Sequence, residues 1–152
     1  DWAYKEIGDP VLKFVSLWIT FNHWYRVKYE KKKLSLSDRG CLEKIKCDYA
    51  FYQHIFRGNL SPSKKENLFK IVSLSKAFGF KSIPKLMIDN YHFVKDQENF
   101  KTLIELIYEV RNAIFHGEVL LNNVNLRELV GQINNFFGYE LKKVILNPHL
   151  TN

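Results

Sequence analysis

Residues 100–117 read FKTLIELIYEVRNAIFHG, and this stretch decides the fold. At about 100° per residue, one side of a helix drawn over it is apolar and carries Leu103, Ile107, Val110 and Ile114. The opposite side is polar, within about 60°, and carries Glu105, Glu109, Asn112 and His116. The sequence therefore predicts an amphipathic helix over 98–115 that stops at Gly117.

The same helical periodicity recurs on both sides of this segment. Asp9 followed by Pro10 is typical of an N-cap and the first position of a helix. Ser37-Asp38 predicts the start of a second helix, which continues through Ile55 until Gly58-Asn59 stops it. A short helical turn is expected at 82–84 and an irregular loop at 89–96. The predicted helices cover residues 10 to about 30, 38 to about 57, 62 to about 74, 98–115 and 125 to about 145.

The predicted fold class is all-α. The nearest approach to a strand is Val119-Leu120-Leu121, which is too short to build a sheet. The 152 residues fit one domain, 1–152. We therefore expect an up-and-down helical bundle of four to six helices.

The charge balance favours an anionic partner. The formal net charge is +7, and this would steer RNA, DNA or an anionic surface toward the chain without choosing among them. The same net charge is also consistent with a basic protein that binds none of these partners. The most apolar stretch, 11–25, is too short to cross a bilayer and includes Lys13, Asn22 and His23, so no membrane association is expected.

The two cysteines, Cys41 and Cys47, lie six positions apart in one predicted helix. This spacing is too long for a comfortable disulfide, and no second cysteine or histidine pair completes a zinc site. We expect reduced thiols in a cytoplasmic protein that carries neither a metal nor another cofactor.

The end of the helix over 98–115 carries the candidate chemistry. Arg111 is a fixed cation that can hold a phosphate bidentately, whereas His116 can exchange a proton near neutral pH. Metal-free phosphodiester cleavage needs this pair of groups. The residues alone leave two plain alternatives open. A surface helix normally has a polar side, and a cation near the helix end is favoured by the helix dipole.

Arg111-Asn112 is followed by His116, and four residues separate Arg111 from His116. This pattern resembles the motif of the HEPN (higher eukaryotes and prokaryotes nucleotide-binding) superfamily. Residues 17–25, LWITFNHWY, also resemble the first helix of some bacterial HEPN-like proteins. The resemblance implies a helical bundle that forms a homodimer, with two Arg-His motifs facing each other across a cleft. Many members of the superfamily are metal-independent endoribonucleases.

Carried over to this chain, the resemblance gives each motif residue a role. His116 would act as general acid or base on the ribose 2′-hydroxyl, Arg111 would hold the scissile phosphate, and Asn112 would orient one of them. The product would be a 2′,3′-cyclic phosphate, so RNA is the expected substrate. The implied setting is a toxin or phage-defence effector, with an antitoxin or regulatory partner as a further candidate. Glu118 stands where members paired with nucleotidyltransferase antitoxins commonly have Tyr, which argues against that antitoxin class.

Three further residues are assigned to substrate binding. Asn22 and Arg26 follow Trp18 at four-residue steps, so they would line the same cleft if the first helix packs beside the motif helix. Glu109 joins them as a member of the polar side of the helix over 98–115, which we call the polar strip. Asn22 is equally well explained as a partner for a buried backbone group. Three aromatic residues of the first helix are expected in the core or a dimer interface: Trp18, Phe21 and Trp24.

Three other functions compete with the nuclease. One is a catalytically inactive HEPN module that binds nucleotides or RNA, or serves as a dimerisation unit. Another is a hydrolase with a metal held by Glu105 and Glu109, which lack a histidine at matching spacing. The last is a helical scaffold without chemistry.

Overall fold

The computed structural model describes residues 8–30, 36–57, 61–82 and 97–147. Within these ranges it forms α-helices and one π-helical turn and no strand, so the all-α prediction is confirmed. The α-helices are α1 (Pro10–Tyr29), α2 (Asp38–Lys46), α3 (Tyr49–Tyr52), α4 (Pro62–Lys76), α5 (Gln97–Phe115) and α6 (Val124–Leu146), with the π-helical turn (Gln53–Arg57) directly after α3.

Side-chain caps start the helices close to the predicted positions. The carboxylate of Asp9 accepts hydrogen bonds from the backbone N–H groups of Val11 (2.8 Å) and Leu12 (3.1 Å) and so starts α1 at Pro10. Asn123 caps α6 in the same way, and this helix begins one residue before its predicted start at Asn125. Short polar side chains thus satisfy N–H groups that the first turn of a helix leaves without partners.

The second predicted helix is not continuous, and this prediction was wrong. α2 ends at Lys46, and Asp48, in an extended conformation, caps α3 through the N–H of Phe51 at 2.9 Å. The Asp48 carboxylate also accepts a hydrogen bond from the Tyr29 hydroxyl and lies 3.0 Å from the Lys28 ammonium. Contacts with the end of α1 therefore hold the Asp48 carboxylate in place. There it accepts a hydrogen bond from a backbone N–H group and so competes with the backbone hydrogen bonds of a continuous helix.

The core lies between α6 and the helices on either side of it. α6 packs against both α1 and α4, and α2 packs against α5. Trp18 and Phe21 are buried in this core and Trp24 is partly buried against it, as expected for a packing role. The largest fully buried side chains are Tyr25, Phe14, Phe51, Phe100 and Phe136.

Several predictions concern residues outside the described ranges, namely the stop at Gly58-Asn59, most of the turn at 82–84 and the loop at 89–96. Cys41 is buried and Cys47 is exposed, and no disulfide joins them. Among the described helices, none combines the length and hydropathy that a bilayer crossing needs.

Candidate anion-binding groove

The end of α5 presents His116 to solvent. The N–H of Gly117 donates to the Ile114 carbonyl (3.3 Å), and that of Glu118 donates to the Ala113 carbonyl (2.9 Å). This pair of bonds is a Schellman motif, and it requires the left-handed conformation that Gly117 adopts with φ of 67°. His116 is consequently the last residue before the chain turns away, and its side chain is exposed.

Aromatic rings hold the guanidinium of Arg111. Its central carbon lies 4.7 Å from the ring centroid of Phe115, 5.8 Å from that of Tyr108 and 5.9 Å from that of Trp18. Its Nη1 donates to the Asn112 side chain at 2.7 Å. Although 20% of the side chain is exposed, Nε is buried and donates to no described residue. The rings attract the cation while most of its hydrogen-bonding capacity stays unused.

Arg111 lies in an open groove of about 730 Å³ between α1, the start of α2 and the end of α5, which we call the Arg111 groove. Asn22 and Arg26 of α1 contribute to it together with Arg111 of α5, so three of the predicted site residues line one groove. The described residues that line it are Trp18, Ile19, Asn22, His23, Arg26, Asp38, Arg111 and Phe115.

Arg26 is held by several partners at one wall of the groove. Its Nε donates to the Asn22 side-chain oxygen at 3.2 Å, and its Nη1 donates to the Leu36 carbonyl at 3.3 Å and to the carboxylate of Glu30. Its Nη2 donates to the carboxylate of Asp38. The hydrogen bond to Asp38 raises the pKa of Arg26 above its ordinary value. Arg26 therefore joins α1 to α2 and supplies positive charge with few free donors.

Asn22 binds side chains rather than backbone. Its amide nitrogen donates to the hydroxyl of the buried Tyr25 (2.5 Å) and to the Asp38 carboxylate (3.1 Å). Burial, together with the charge of Asp38, raises the pKa of the Tyr25 phenol. Among the described residues, the partners of Asn22 are therefore side chains and not a buried backbone group.

The polar strip of α5 does not form one surface. Glu109 and Asn112 line a separate depression beside Phe78 and Phe80, where Glu109 accepts a hydrogen bond from the Ser82 N–H at 3.0 Å. Glu109 is two residues, or about 200°, from Arg111 on the helix, so the two side chains face different depressions. Asn112 reaches both environments because it also accepts from Arg111.

Glu105, the other carboxylate of the strip, is used in ion pairs. It accepts hydrogen bonds from the ammonium of Lys46 and from Arg39 (2.8 Å), and 16% of its side chain is exposed. Burial opposes its ionisation, but these two cations outweigh that effect and lower its pKa. In the described part of the chain, no group of three or more metal-ligating side chains comes together.

His116 does not belong to the lining of the Arg111 groove, although its neighbour Phe115 does. Two polar lining residues were missed by the sequence reasoning. His23 stands one turn before Arg26 on α1, a spacing that was readable from the sequence. Asp38 was treated only as part of a helix start, since its approach to α1 and α5 depends on tertiary packing.

No family model, curated protein or solved structure matches this chain.

Proposed function

We propose that this chain is a metal-independent endoribonuclease of HEPN type that acts as a homodimer. One observation carries the proposal: the Arg111 guanidinium is fixed by aromatic rings in an open groove that also contains Asn22 and Arg26. A preorganised guanidinium of this kind can bind a phosphodiester linkage without first losing much side-chain freedom. The net charge of +7 favours the approach of RNA.

The proposed reaction uses the substrate's own hydroxyl. His116 accepts the proton of the ribose 2′-hydroxyl, the 2′-oxygen attacks phosphorus, and the bond from phosphorus to the 5′-oxygen breaks. Transfer of this proton from the imidazolium to the departing 5′-oxygen then leaves a 2′,3′-cyclic phosphate, a 5′-hydroxyl and a neutral His116. Arg111 neutralises the charge that grows on the phosphate oxygens, and Asn112 keeps the guanidinium oriented through their 2.7 Å hydrogen bond.

The dimer supplies the histidine in this proposal. Within one chain, His116 is exposed at the end of α5 and is not part of the Arg111 groove. His116 of a second copy would therefore complete the site. Apolar side chains at the rim suit such a contact, since Ile19 is 59% exposed and Phe115 is 48% exposed.

The test is cleavage of mixed RNA in the presence of EDTA. We expect the wild-type protein to cleave, and Arg111→Ala and His116→Ala to lose at least about a hundredfold of the rate. Lys70→Ala on α4 is the control, because it removes an exposed cation that lies outside the Arg111 groove and should retain cleavage. Cleavage that needs a metal, or that persists in both motif variants, would refute the nuclease.

An RNA-binding module without cleavage is the second candidate. It is favoured by the separation of His116 from the Arg111 groove within one chain. RNA that is bound but stays intact, with binding weakened by Arg111→Ala and unchanged by His116→Ala, would establish this alternative.

The biological side of the proposal is a toxin or phage-defence effector. Induction of the wild-type chain in bacteria should arrest growth, whereas induction of His116→Ala to the same level should not. Equal growth of both cultures would argue against toxicity.

A further inference from the structure

Asp38 places a carboxylate between the two guanidiniums of the Arg111 groove. Its Oδ1 accepts hydrogen bonds from Arg26 Nη2 and from the Asn22 amide at 3.1 Å, and its Oδ2 lies 3.7 Å from Arg111 Nη2. Its side chain is 28% exposed and contributes to the lining. A ligand phosphate that binds Arg111 would therefore have its negative oxygens beside this carboxylate.

The carboxylate sets the charge of the groove. Arg26 and Arg111 contribute two positive charges and Asp38 one negative charge, so the described part of the lining carries a net charge of +1, counting His23 as neutral. A phosphodiester linkage carries one negative charge, whereas a phosphate monoester carries nearly two above pH 7. Repulsion by Asp38 is about twice as large for the dianion, because Coulomb energy is proportional to charge.

We propose that Asp38 weakens the binding of terminal phosphate monoesters to the groove more than the binding of internal phosphodiester linkages. This inference rests on the proposed function, whose substrate is an internal linkage of RNA, and it names a residue that biases the groove toward that substrate. Asp38 acts by repelling the more highly charged ligand more strongly, as a repulsive element that contributes to specificity. It also holds Arg26 and Asn22 in place, so its charge and its shape have to be tested separately.

The experiment measures binding of two ligands that cannot be cleaved. One is a dinucleoside monophosphate that lacks the 2′-hydroxyl next to its linkage, and the other is a nucleoside 5′-monophosphate, both titrated at pH 7.5. Asp38→Asn keeps the size of the side chain and an accepting oxygen while removing the charge. We expect the diester to bind about fivefold more tightly and the monoester about 25-fold more tightly.

Two further variants separate charge from other effects. Glu30→Gln also removes a negative charge paired with Arg26, but Glu30 lies outside the groove lining, so both affinities should change less than about twofold. Asp38→Glu keeps the charge and should retain the wild-type ratio of the two affinities. The inference would be overturned if Asp38→Asn left the ratio of the diester and monoester affinities unchanged. It would also be overturned if this variant bound both ligands more weakly than the wild type does.

This outcome is distinguishable from failure of the proposed function, because neither ligand can react. A shifted ratio in a protein that cleaves no RNA would support the role of Asp38 and refute the nuclease. Failure of both the wild type and Asp38→Asn to bind either ligand would refute the inference about Asp38, whereas the nuclease would still be decided by the cleavage assay.

Discussion

The guanidinium carbon of Arg111 lies 4.7 Å from the ring centroid of Phe115, one turn further along α5. Two residues at i and i+4 of a helix share a face, so this contact is available before the tertiary fold forms. Trp18 and Tyr108 extend the aromatic surface at 5.9 and 5.8 Å. The cation is thereby kept at the edge of the groove rather than moving freely in solvent.

Phe115→Leu should weaken RNA binding while leaving the fold intact. Leucine keeps the apolar contact but removes the ring that attracts the guanidinium, an interaction worth about 0.5–1 kcal/mol at an exposed site. We expect the dissociation constant for a short RNA to rise about two- to fivefold, as measured by fluorescence anisotropy.

The control for this prediction is Phe69→Leu, which changes a partly exposed phenylalanine on α4, outside the groove lining. It should leave RNA affinity at the wild-type value. Equal losses in the two variants would mean that the Phe115 ring does not act through Arg111.

Mixed dimers should reveal whether Arg111 and His116 act across the interface. Arg111→Ala and His116→Ala are each expected to be inactive alone. If one copy supplies the arginine and the other the histidine, a mixed dimer regains one intact site of two. Half of the dimers are mixed after equal subunit exchange, so about a quarter of the wild-type rate should return. A mixture as inactive as its components would contradict a site shared in this way.

Local features of the fold could be predicted from the sequence. The cap of Asp9 on Pro10–Tyr29 involves residues within three positions of one another, and the glycine turn at the end of α5 involves residues within five. The contact of Arg111 with Tyr108 and Phe115 likewise joins neighbours on one helix. In each case the physical cause lies within one or two turns of the chain.

Features that depend on distant residues could not be predicted. The break at Asp48 is stabilised by Lys28 and Tyr29, which lie 20 and 19 residues earlier. Asp38 enters the groove only because α2 packs on both α1 and α5. A single helical wheel also cannot show that α5 has neighbours on two sides, which is why Glu109 and Arg111 face different depressions.

Asp48→Ala should destabilise the protein without touching the groove. The carboxylate is 12% exposed, caps α3, and binds both the Tyr29 hydroxyl and the Lys28 ammonium. Losing a cap costs about 1 kcal/mol and losing a hydrogen bond to a charged group about 1.5–3 kcal/mol. We expect urea denaturation to show a free energy of unfolding lower by about 2–4 kcal/mol.

Asp48→Asn is the matched comparison, because asparagine is an equally good cap but loses the ion pair with Lys28. Its free energy of unfolding should fall between those of the wild type and Asp48→Ala. A denaturation midpoint of Asp48→Ala equal to that of the wild type would show that the break between α2 and α3 does not depend on this side chain.

Acid should destabilise the fold through two carboxylates whose pKa values are lowered. Burial opposes ionisation of Asp48 and of Glu105, yet hydrogen bonds from Tyr29 to Asp48, and from Arg39 and Lys46 to Glu105, outweigh it. Because each pKa is lower in the folded than in the unfolded state, the unfolded chain binds more protons on acidification. The stabilisation is complete above about pH 5 and is lost as the pH falls through about 4 toward the folded-state values.

Glu105→Gln tests this pH dependence, with the free energy of unfolding measured in urea at pH 7, 5, 4 and 3. The variant cannot lose a carboxylate charge, so its stability should fall less than that of the wild type between pH 5 and pH 3. Glu66→Gln on α4 is the control, because the Glu66 side chain is 67% exposed and forms an exposed ion pair with Lys70 at 3.3 Å; the variant should follow the wild-type curve. A Glu105→Gln protein that shows the full wild-type loss on acidification would mean that the bridge from α5 to Arg39 and Lys46 contributes nothing to the acid response.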